Sequence, residues 1–335
     1  MNISDFDYDL PEALIAQEPL EDRAASRLLH IDPASGSITH RQFRDVTQIL
    51  RPGDLLVVNS TRVTALRIFG QRETGGNVEA LLLSEAEPGV FHALMKPAKR
   101  LRLGTKIQFE GDLVGEIIGL GDDGHRTIRF AAPNFRETLA EIGLTPLPPY
   151  ITTHLADPDR YQTVYANTGG SAAAPTAGLH FTQDLLVELT QMGIGFAQVS
   201  LSVSIDTFRP MMVDRIVDHV MHGEVCEISE ETAEAIARAQ GRIIAVGTTT
   251  VRTLESFATA HRRVQAGKMN SKLFISPGYE FRVIDGMFTN FHMPRTTMML
   301  MISALAGTDI VRQAYAEAIE ERYRFLSFGD SMLIL

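Results

Sequence analysis

The sequence predicts an α/β protein: a mostly parallel α/β main domain that carries an inserted small antiparallel β-barrel or sandwich. Three observations lead there. Both flanks of the chain alternate buried strands with capped helices, the pattern of a mostly parallel sheet covered on both faces. The middle third, from Arg67 to Phe130, instead shows short apolar runs broken by Gly or Asp, at a spacing of roughly 8–12 residues. At 335 residues the chain is also long enough for two domains. The predicted division is 1–66 for the first part of the main domain, 67–148 for the insertion and 149–335 for the second part.

Asp54–Asn59 (DLLVVN) reads as a buried strand. The insertion follows as six runs: ALRIFG, NVEALLLSE, VFHALMKP, TKIQFEG, LVGEIIGLG and HRTIRFA. Phe135–Ile142 is a short helix, and Pro146, Pro148 and Pro149 form a stiff exit because proline fixes φ and restricts its predecessor. Thr182 caps a helix through Gln191 that stops at Gly193. Phe196–Ser204 is a strand. Ser229, followed by Glu230 and Glu231, opens a helix through Gln240, with the acids favoured by the helix dipole. Gly241–Gly247 is a buried strand, Thr250–Val264 a helix, Met298–Leu305 an apolar helix-like stretch, Thr308–Arg322 a helix and Ser331–Leu335 a closing strand.

Composition narrows the class. Hydrophobic content of 44% and charged content of 21% are those of an ordinary globular protein. A single cysteine, Cys226, excludes an intramolecular disulfide and a thiolate-only metal cage, and fits a reducing, cytoplasmic compartment. The start MNISDFDYDLPEAL lacks the basic and apolar regions of a signal peptide. The run Met298–Leu305 is far too short to span a bilayer. A formal charge of −10 argues weakly against nucleic acid, but patches rather than net charge decide such binding.

Four constellations carry chemistry. Thr289-Asn290-Phe291-His292-Met293-Pro294, just before an apolar helix, can aim an amide and an imidazole at one point, although a capped turn with an interior histidine explains it equally well. Gly247-Thr248-Thr249-Thr250 before Arg252 puts hydroxyls and free amides at a helix start, a site for a carboxylate or phosphate. Plain capping needs only one Thr, and Glu255 is placed to pair with Arg252. Pro175-Thr176-Ala177-Gly178-Leu179-His180 is a small-residue loop that lets a ligand near the backbone; a tight structural turn is the alternative. His219, His222 and Glu224 suggest acid–base work or substrate contact more than a metal, because the H-E-x-x-H spacing is missing.

Two acid-free basic clusters stand out in this acidic chain. Lys96, Lys99, Arg100, Arg102 and Lys106 form one; Arg262, Arg263, Lys268 and Lys272 form the other. Each is a candidate phosphate patch or a solvated face. The run of Met298, Met299 and Met301 reads as core packing.

Together these motifs resemble the S-adenosylmethionine:tRNA ribosyltransferase-isomerase family of queuosine biosynthesis. The resemblance spans nearly the whole chain: FDYDLP, SRLL, GDLLVVNSTRV, GGNVEALLL, KPAKRL, PLPPYI, YQTVYA, AAPTAGLHFT, DTFRP, HVMHGE, AVGTTTVRTLES, FISPGYEF, DGMFTNFHMPRTT and YRFLSFGDSML. Two departures occur: Ser60 stands where the family usually has Asp, and Val203-Ser204-Ile205-Asp206-Thr207-Phe208 where it has V-G-x-G-T-F.

The resemblance implies an α/β domain with an inserted β-barrel. It implies transfer and isomerisation of the ribosyl portion of S-adenosylmethionine onto 7-aminomethyl-7-deazaguanine at the tRNA wobble position. The product is epoxyqueuosine-tRNA, with adenine and methionine released. No metal or other cofactor is implied, and a monomer is expected. On this reading His180, His222, Glu224 and His292 are the catalytic candidates. Thr248, Thr249, Thr250 and Arg252 suit the methionine carboxylate, and Thr176, Gly178, Asn290 and Phe291 are further substrate-binding candidates. Lys96, Lys99, Arg100, Arg262 and Arg263 are the tRNA-binding candidates. The competing classes are a metal-dependent hydrolase built on His219, His222 and Glu224, and a non-catalytic RNA-binding module.

Overall fold

Leu55–Asn59 forms a strand buried at every residue: the apolar run Leu55–Val58 suits a strand covered on both faces, and the Asn59 amide is hydrogen-bonded to the Leu201 carbonyl and the Thr249 hydroxyl. Around it a computed structural model, which describes residues 1–203 and 210–335, builds a nine-stranded sheet. In chain order its strands are β1 (Arg27–Asp32), β2 (Ser37–Gln42), β3 (Leu55–Asn59), β4 (Gly195–Leu201), β5 (Glu224–Ile228), β6 (Ile243–Val246), β7 (Gly267–Ser271), β8 (Gly286–Asn290) and β9 (Ser331–Ile334). Their spatial order is β7-β5-β4-β3-β6-β8-β9-β1-β2. The central neighbours β4, β3, β6 and β8 run parallel, as do β9 and β1. The remaining pairs, β1–β2, β4–β5, β5–β7 and β8–β9, are antiparallel, so the sheet is mixed, with parallel strands at its centre.

The chain divides into two compact units. The first comprises Met1–Thr61, Pro148–Thr168 and Ala174–Leu335; the second comprises Arg62–Leu147 and Gly169–Ala173. The sequence boundary at 67 therefore moves to Arg62, and the short stretch Gly169–Ala173 returns to the second unit.

That second unit holds a closed antiparallel barrel of six strands: Leu66–Arg72, Asn77–Glu87, Val90–Lys96, Lys106–Phe109, Val114–Leu120 and His125–Phe130. Alternate residues fill its interior, among them Ile68, Val78, Ala80, Met95, Ile107, Ile117 and Ile128. Helix α1 (Phe135–Ile142) packs Leu139 against this core.

The remaining helices belong to the first unit: α2 (Gln183–Gln191), α3 (Glu230–Arg238), α4 (Thr248–Ser256), α5 (Thr297–Ala306) and α6 (Thr308–Glu320). The expected caps are present, with the Thr182 hydroxyl accepting from the Leu185 amide and the Ser229 hydroxyl from the Thr232 amide. The helix expected over 250–264 is instead α4, which starts two residues earlier and stops at Ser256. Ala258–Ala260 and Arg263–Val264 pair as a small hairpin, because Arg262 takes a left-handed φ of 55° and is anchored to Asp285. Among the described residues no helix is long and apolar enough to cross a membrane. The unusual Ser204–Phe208 stretch lies outside the described residues.

Candidate active site

The carboxyl ends of parallel strands in an open α/β sheet are where ligands bind, because the loops there diverge and helix N-termini point inward. A cleft enclosing about 600 Å³, its open mouth included, occupies that place in the first unit. Val203 beyond β4, Gly247, Thr248 and Thr249 after β6, and Asn290, Phe291 and His292 at the end of β8 line it, with Thr176 and Ala177 facing them.

Gly247 sets the turn from β6 into α4. Its φ of 91° lies in the left-handed region that only glycine adopts without strain, and its amide donates to the Phe288 carbonyl at 2.8 Å. The amides of Thr250 and Val251 return to the Gly247 carbonyl. Among the described residues the Thr248 and Thr249 amides have no acceptor, and no side chain caps the helix. Two free N–H groups at the positive end of a helix dipole, opening into a cleft, suit an anion. Thr250 does not join them: fully buried, it donates its hydroxyl proton to the Val246 carbonyl at 2.7 Å. The Thr249 hydroxyl is held by the Asn59 amide at 3.3 Å.

From the cleft wall a chain of four polar groups runs inward, its last two members buried behind the wall. The Thr176 hydroxyl donates to Asn290 Oδ1 at 3.0 Å, Asn290 Nδ2 meets His180 Nε2 at 3.1 Å, and His180 Nδ1 meets the Ser26 hydroxyl at 2.8 Å. The His180 ring stacks on Phe43, with centroids 5.1 Å apart. Burial, helped by the cationic Arg23 and Arg324, pushes the His180 pKa down to about 3, so this imidazole is neutral. His180 does not line the cleft itself.

His292 does line it. One ring nitrogen, Nε2, meets the Thr289 hydroxyl at 2.7 Å, its backbone amide donates to the Tyr315 hydroxyl at 2.9 Å, and its carbonyl accepts from the Tyr8 hydroxyl. Burial pushes its pKa down to about 3 as well, leaving a neutral ring partly open to the cleft. Phe291 is fully buried, its ring against Phe325, Tyr315 and Tyr323.

A smaller adjoining cavity shares Thr248, Thr249 and Met298 with the cleft and is lined by Met221, Phe274, Glu224 and Arg252. Here the expected Arg252–Glu255 pairing is not formed. Arg252 pairs with Glu224, both deeply buried, and donates to the His222 and Ser271 carbonyls at 2.9 Å each. Glu255 accepts instead from the amides of Arg282, Val283 and Ile284 and from the Tyr279 hydroxyl. Among the described residues no group of three His, Cys, Asp or Glu is arranged to hold a metal ion.

The structure gathers Thr176, Thr248, Thr249, Asn290, Phe291 and His292 in one cleft and sets the other candidates apart. Gly178 faces Tyr165, whose hydroxyl fills the place a Cβ would take, so its glycine serves packing. The His222 side chain is exposed. Lys96, Lys99 and Arg100 are exposed on the barrel unit, as free phosphate ligands must be. Arg263 is exposed, whereas Arg262 is tied to Asp285 and the Gly241 carbonyl. The sequence reading missed Tyr150 and Ser327, whose hydroxyls meet at 2.7 Å on the cleft wall, and Ser26 behind it. Both wall residues sit in strings that carry the resemblance (PLPPYI and LSFGDSML), but neither string has a local chemical pattern that singles them out.

Comparison with known proteins agrees over the full length. The family model described as queuosine biosynthesis protein matches residues 3–334. The S-adenosylmethionine:tRNA ribosyltransferase-isomerase of Clostridioides difficile (strain 630) is 48% identical over 340 residues, covering all of both chains. That of Symbiobacterium thermophilum is 50% identical over 341 residues with the same coverage. The crystal structure of S-adenosylmethionine tRNA ribosyltransferase from Thermotoga maritima is 36% identical, with a TM-score of 0.57 over 99% of this chain and 100% of that one.

Proposed function

We propose, for a chain that belongs to the queuosine biosynthesis protein family, that it acts as an S-adenosylmethionine:tRNA ribosyltransferase-isomerase through the cleft at the carboxyl ends of β4, β6 and β8. In this reaction the ribosyl part of S-adenosylmethionine is transferred and isomerised onto 7-aminomethyl-7-deazaguanine at the tRNA wobble position. Epoxyqueuosine-tRNA forms, and adenine and methionine leave. The observation that carries the reading is the meeting of two uncapped helix amides, an amide–hydroxyl pair and a neutral imidazole in one cleft.

The Thr248 and Thr249 amides are offered for the methionine carboxylate, since aligned backbone N–H groups favour an anion there. A sulfonium acidifies its neighbouring C–H, and His292, an imidazole on the cleft wall, is offered as the group that accepts that proton. Opening of the ribose then expels adenine, and the 7-aminomethyl nitrogen of the tRNA base attacks as the free amine, with the carbon–sulfur bond to the ribosyl unit breaking so that methionine leaves. Arg252, locked by Glu224 and two carbonyls, ties α4 to β5 and β7 rather than reaching the substrate as a free guanidinium. Lys96, Lys99, Arg100 and Arg263 remain the candidates for tRNA phosphates. Unstacked anticodon-loop bases are the usual targets of sequence-specific RNA recognition.

S-adenosylmethionine is consumed as co-substrate, and we propose that no metal or other cofactor takes part and that the enzyme works as a cytoplasmic monomer. Incubation with S-adenosylmethionine and precursor-modified tRNA should release adenine and methionine in equal amounts, with the rate unchanged after exhaustive chelation. Release of S-adenosylhomocysteine would mean methyl transfer and defeat the proposal. Loss of turnover on chelation, restored by zinc, would defeat its metal-free part.

A further inference from the structure

His180 and Ser26 are buried beside the cleft without lining it, yet they account for two links of the hydrogen-bond chain that ends on Asn290 and Thr176. An apolar side chain in place of His180 would pack against Phe43 without burying an imidazole and a hydroxyl that then need partners. The groups that face His180 are Ser26, Asn290 and a small cavity lined by Arg23, Arg160, Ser327 and Phe328. That lining holds cations and no carboxylate, so nothing there favours an imidazolium.

A neutral imidazole has one donor and one acceptor nitrogen. With Asn290 Nδ2 donating to Nε2, the proton must be on Nδ1, which donates to the Ser26 hydroxyl. At the other end, the Thr176 proton is committed to Asn290 Oδ1. What remains for a ligand is then fixed. Asn290 has a second N–H that can only donate, and Thr176 has lone pairs that can only accept.

We infer that Ser26 and His180 are positioning residues, which hold the Asn290 amide in one orientation so that Asn290 and Thr176 present a donor beside an acceptor to the purine of the ligand. This rests on the reading that the cleft takes S-adenosylmethionine. Adenine is the complement of such a pair, having an amino donor next to a ring-nitrogen acceptor. Hypoxanthine, with an oxo group in place of that amine, mismatches it. Reversal of the amide would reverse every link of the chain and invert the preference.

Steady-state release of the purine from S-adenosylmethionine and from its hypoxanthine analogue, with precursor tRNA, tests this in wild type, His180→Gln, His180→Leu and Ser26→Ala between pH 6 and 9. In His180→Gln the side-chain carbonyl can accept from Asn290 as Nε2 does. It should stay within about threefold of wild type at every pH, the scale of one neutral hydrogen bond. His180→Leu leaves the amide unpaired and should raise KM for S-adenosylmethionine about 5- to 150-fold, with a smaller change in kcat and none in KM for tRNA. Wild type should favour adenine over hypoxanthine by about tenfold or more, and His180→Leu should lose that preference.

A loss of about 10²–10⁴-fold in His180→Gln, together with a vanished limb of the pH profile, would make His180 a proton-transfer residue and overturn the inference. Unchanged purine preference in a folded His180→Leu protein would overturn it too. If His180→Leu does not fold, Ser26→Ala decides: it frees the imidazole tautomer and should blunt the preference, and an intact preference sinks the idea. Absence of any adenine release by wild type would instead refute the ribosyl-transfer reading itself.

Discussion

Arg252 and Glu224 are buried together, and neither charge can be removed alone without leaving the other unpaired in a poorly solvated place. Arg252→Ala should therefore destabilise the fold by about 3–5 kcal/mol. Arg252→Met combined with Glu224→Leu should cost much less than the two single changes added. Urea denaturation of the single and double variants checks this, and additivity within about 0.5 kcal/mol would show that the pair is not coupled. The sequence could not disclose the pairing: helical spacing favoured Glu255, whereas the true partner is 28 residues away and arrives through sheet pairing. His180 gives a second prediction. Its folded pKa of about 3 lies below the unfolded value of 6.5, so the unfolded chain binds the extra proton between those limits. The stabilisation from its neutral form is complete above pH ~6.5 and should fall by up to about 1.4 kcal/mol per pH unit below it. Urea midpoints at pH 7.5 and 5.5 should thus diverge more in wild type than in His180→Gln; equal divergence would mean that His180 is not the titrating group.

At the scale of elements, helix α4 turns the uncapped Thr248 and Thr249 amides toward the cleft only because Gly247 lets the chain leave β6 at a left-handed φ. An added Cβ would find ordinary space, 3.6 Å from Ala177, so strain rather than collision decides the outcome of Gly247→Ala. That substitution should cost about 1–3 kcal/mol and weaken S-adenosylmethionine binding without altering tRNA binding. Unchanged affinity by calorimetry would move the carboxylate contact away from the helix start. The helix start fell two residues before Thr250, whereas the strand and the glycine were legible because buried runs and Gly leave local marks. The end of α4 was not, because the hairpin after Phe257 depends on Arg262 reaching Asp285 and a distant carbonyl. Strand β2 escaped the sequence reading for a different reason: it is largely exposed, so alternation is not imposed on it.

Over the whole molecule, alternation of strand and helix disclosed the main unit, and Gly-punctuated short runs disclosed the barrel. Strand order was beyond reach, since β1 pairs with β9 and β3 lies between β4 and β6 through pairings far apart in sequence. The exposed Lys99 and Arg100 of the barrel unit yield a prediction at this scale. Replacing both with Ala should weaken tRNA binding and lower its salt slope by up to ~0.7–0.9 for each phosphate no longer neutralised, while S-adenosylmethionine binding stays the same. An unaltered slope would return the patch to solvent. The central claim, that the ribosyl group rather than the methyl group leaves S-adenosylmethionine, is tested most directly by isotope tracing. S-adenosylmethionine labelled in the ribose and, separately, in the methyl group is incubated with the enzyme and precursor tRNA, and the tRNA is digested and its nucleosides weighed. The ribose label should appear in the modified wobble nucleoside and the methyl label in free methionine; methyl label in the tRNA, with the ribose label left in solution, would contradict the account.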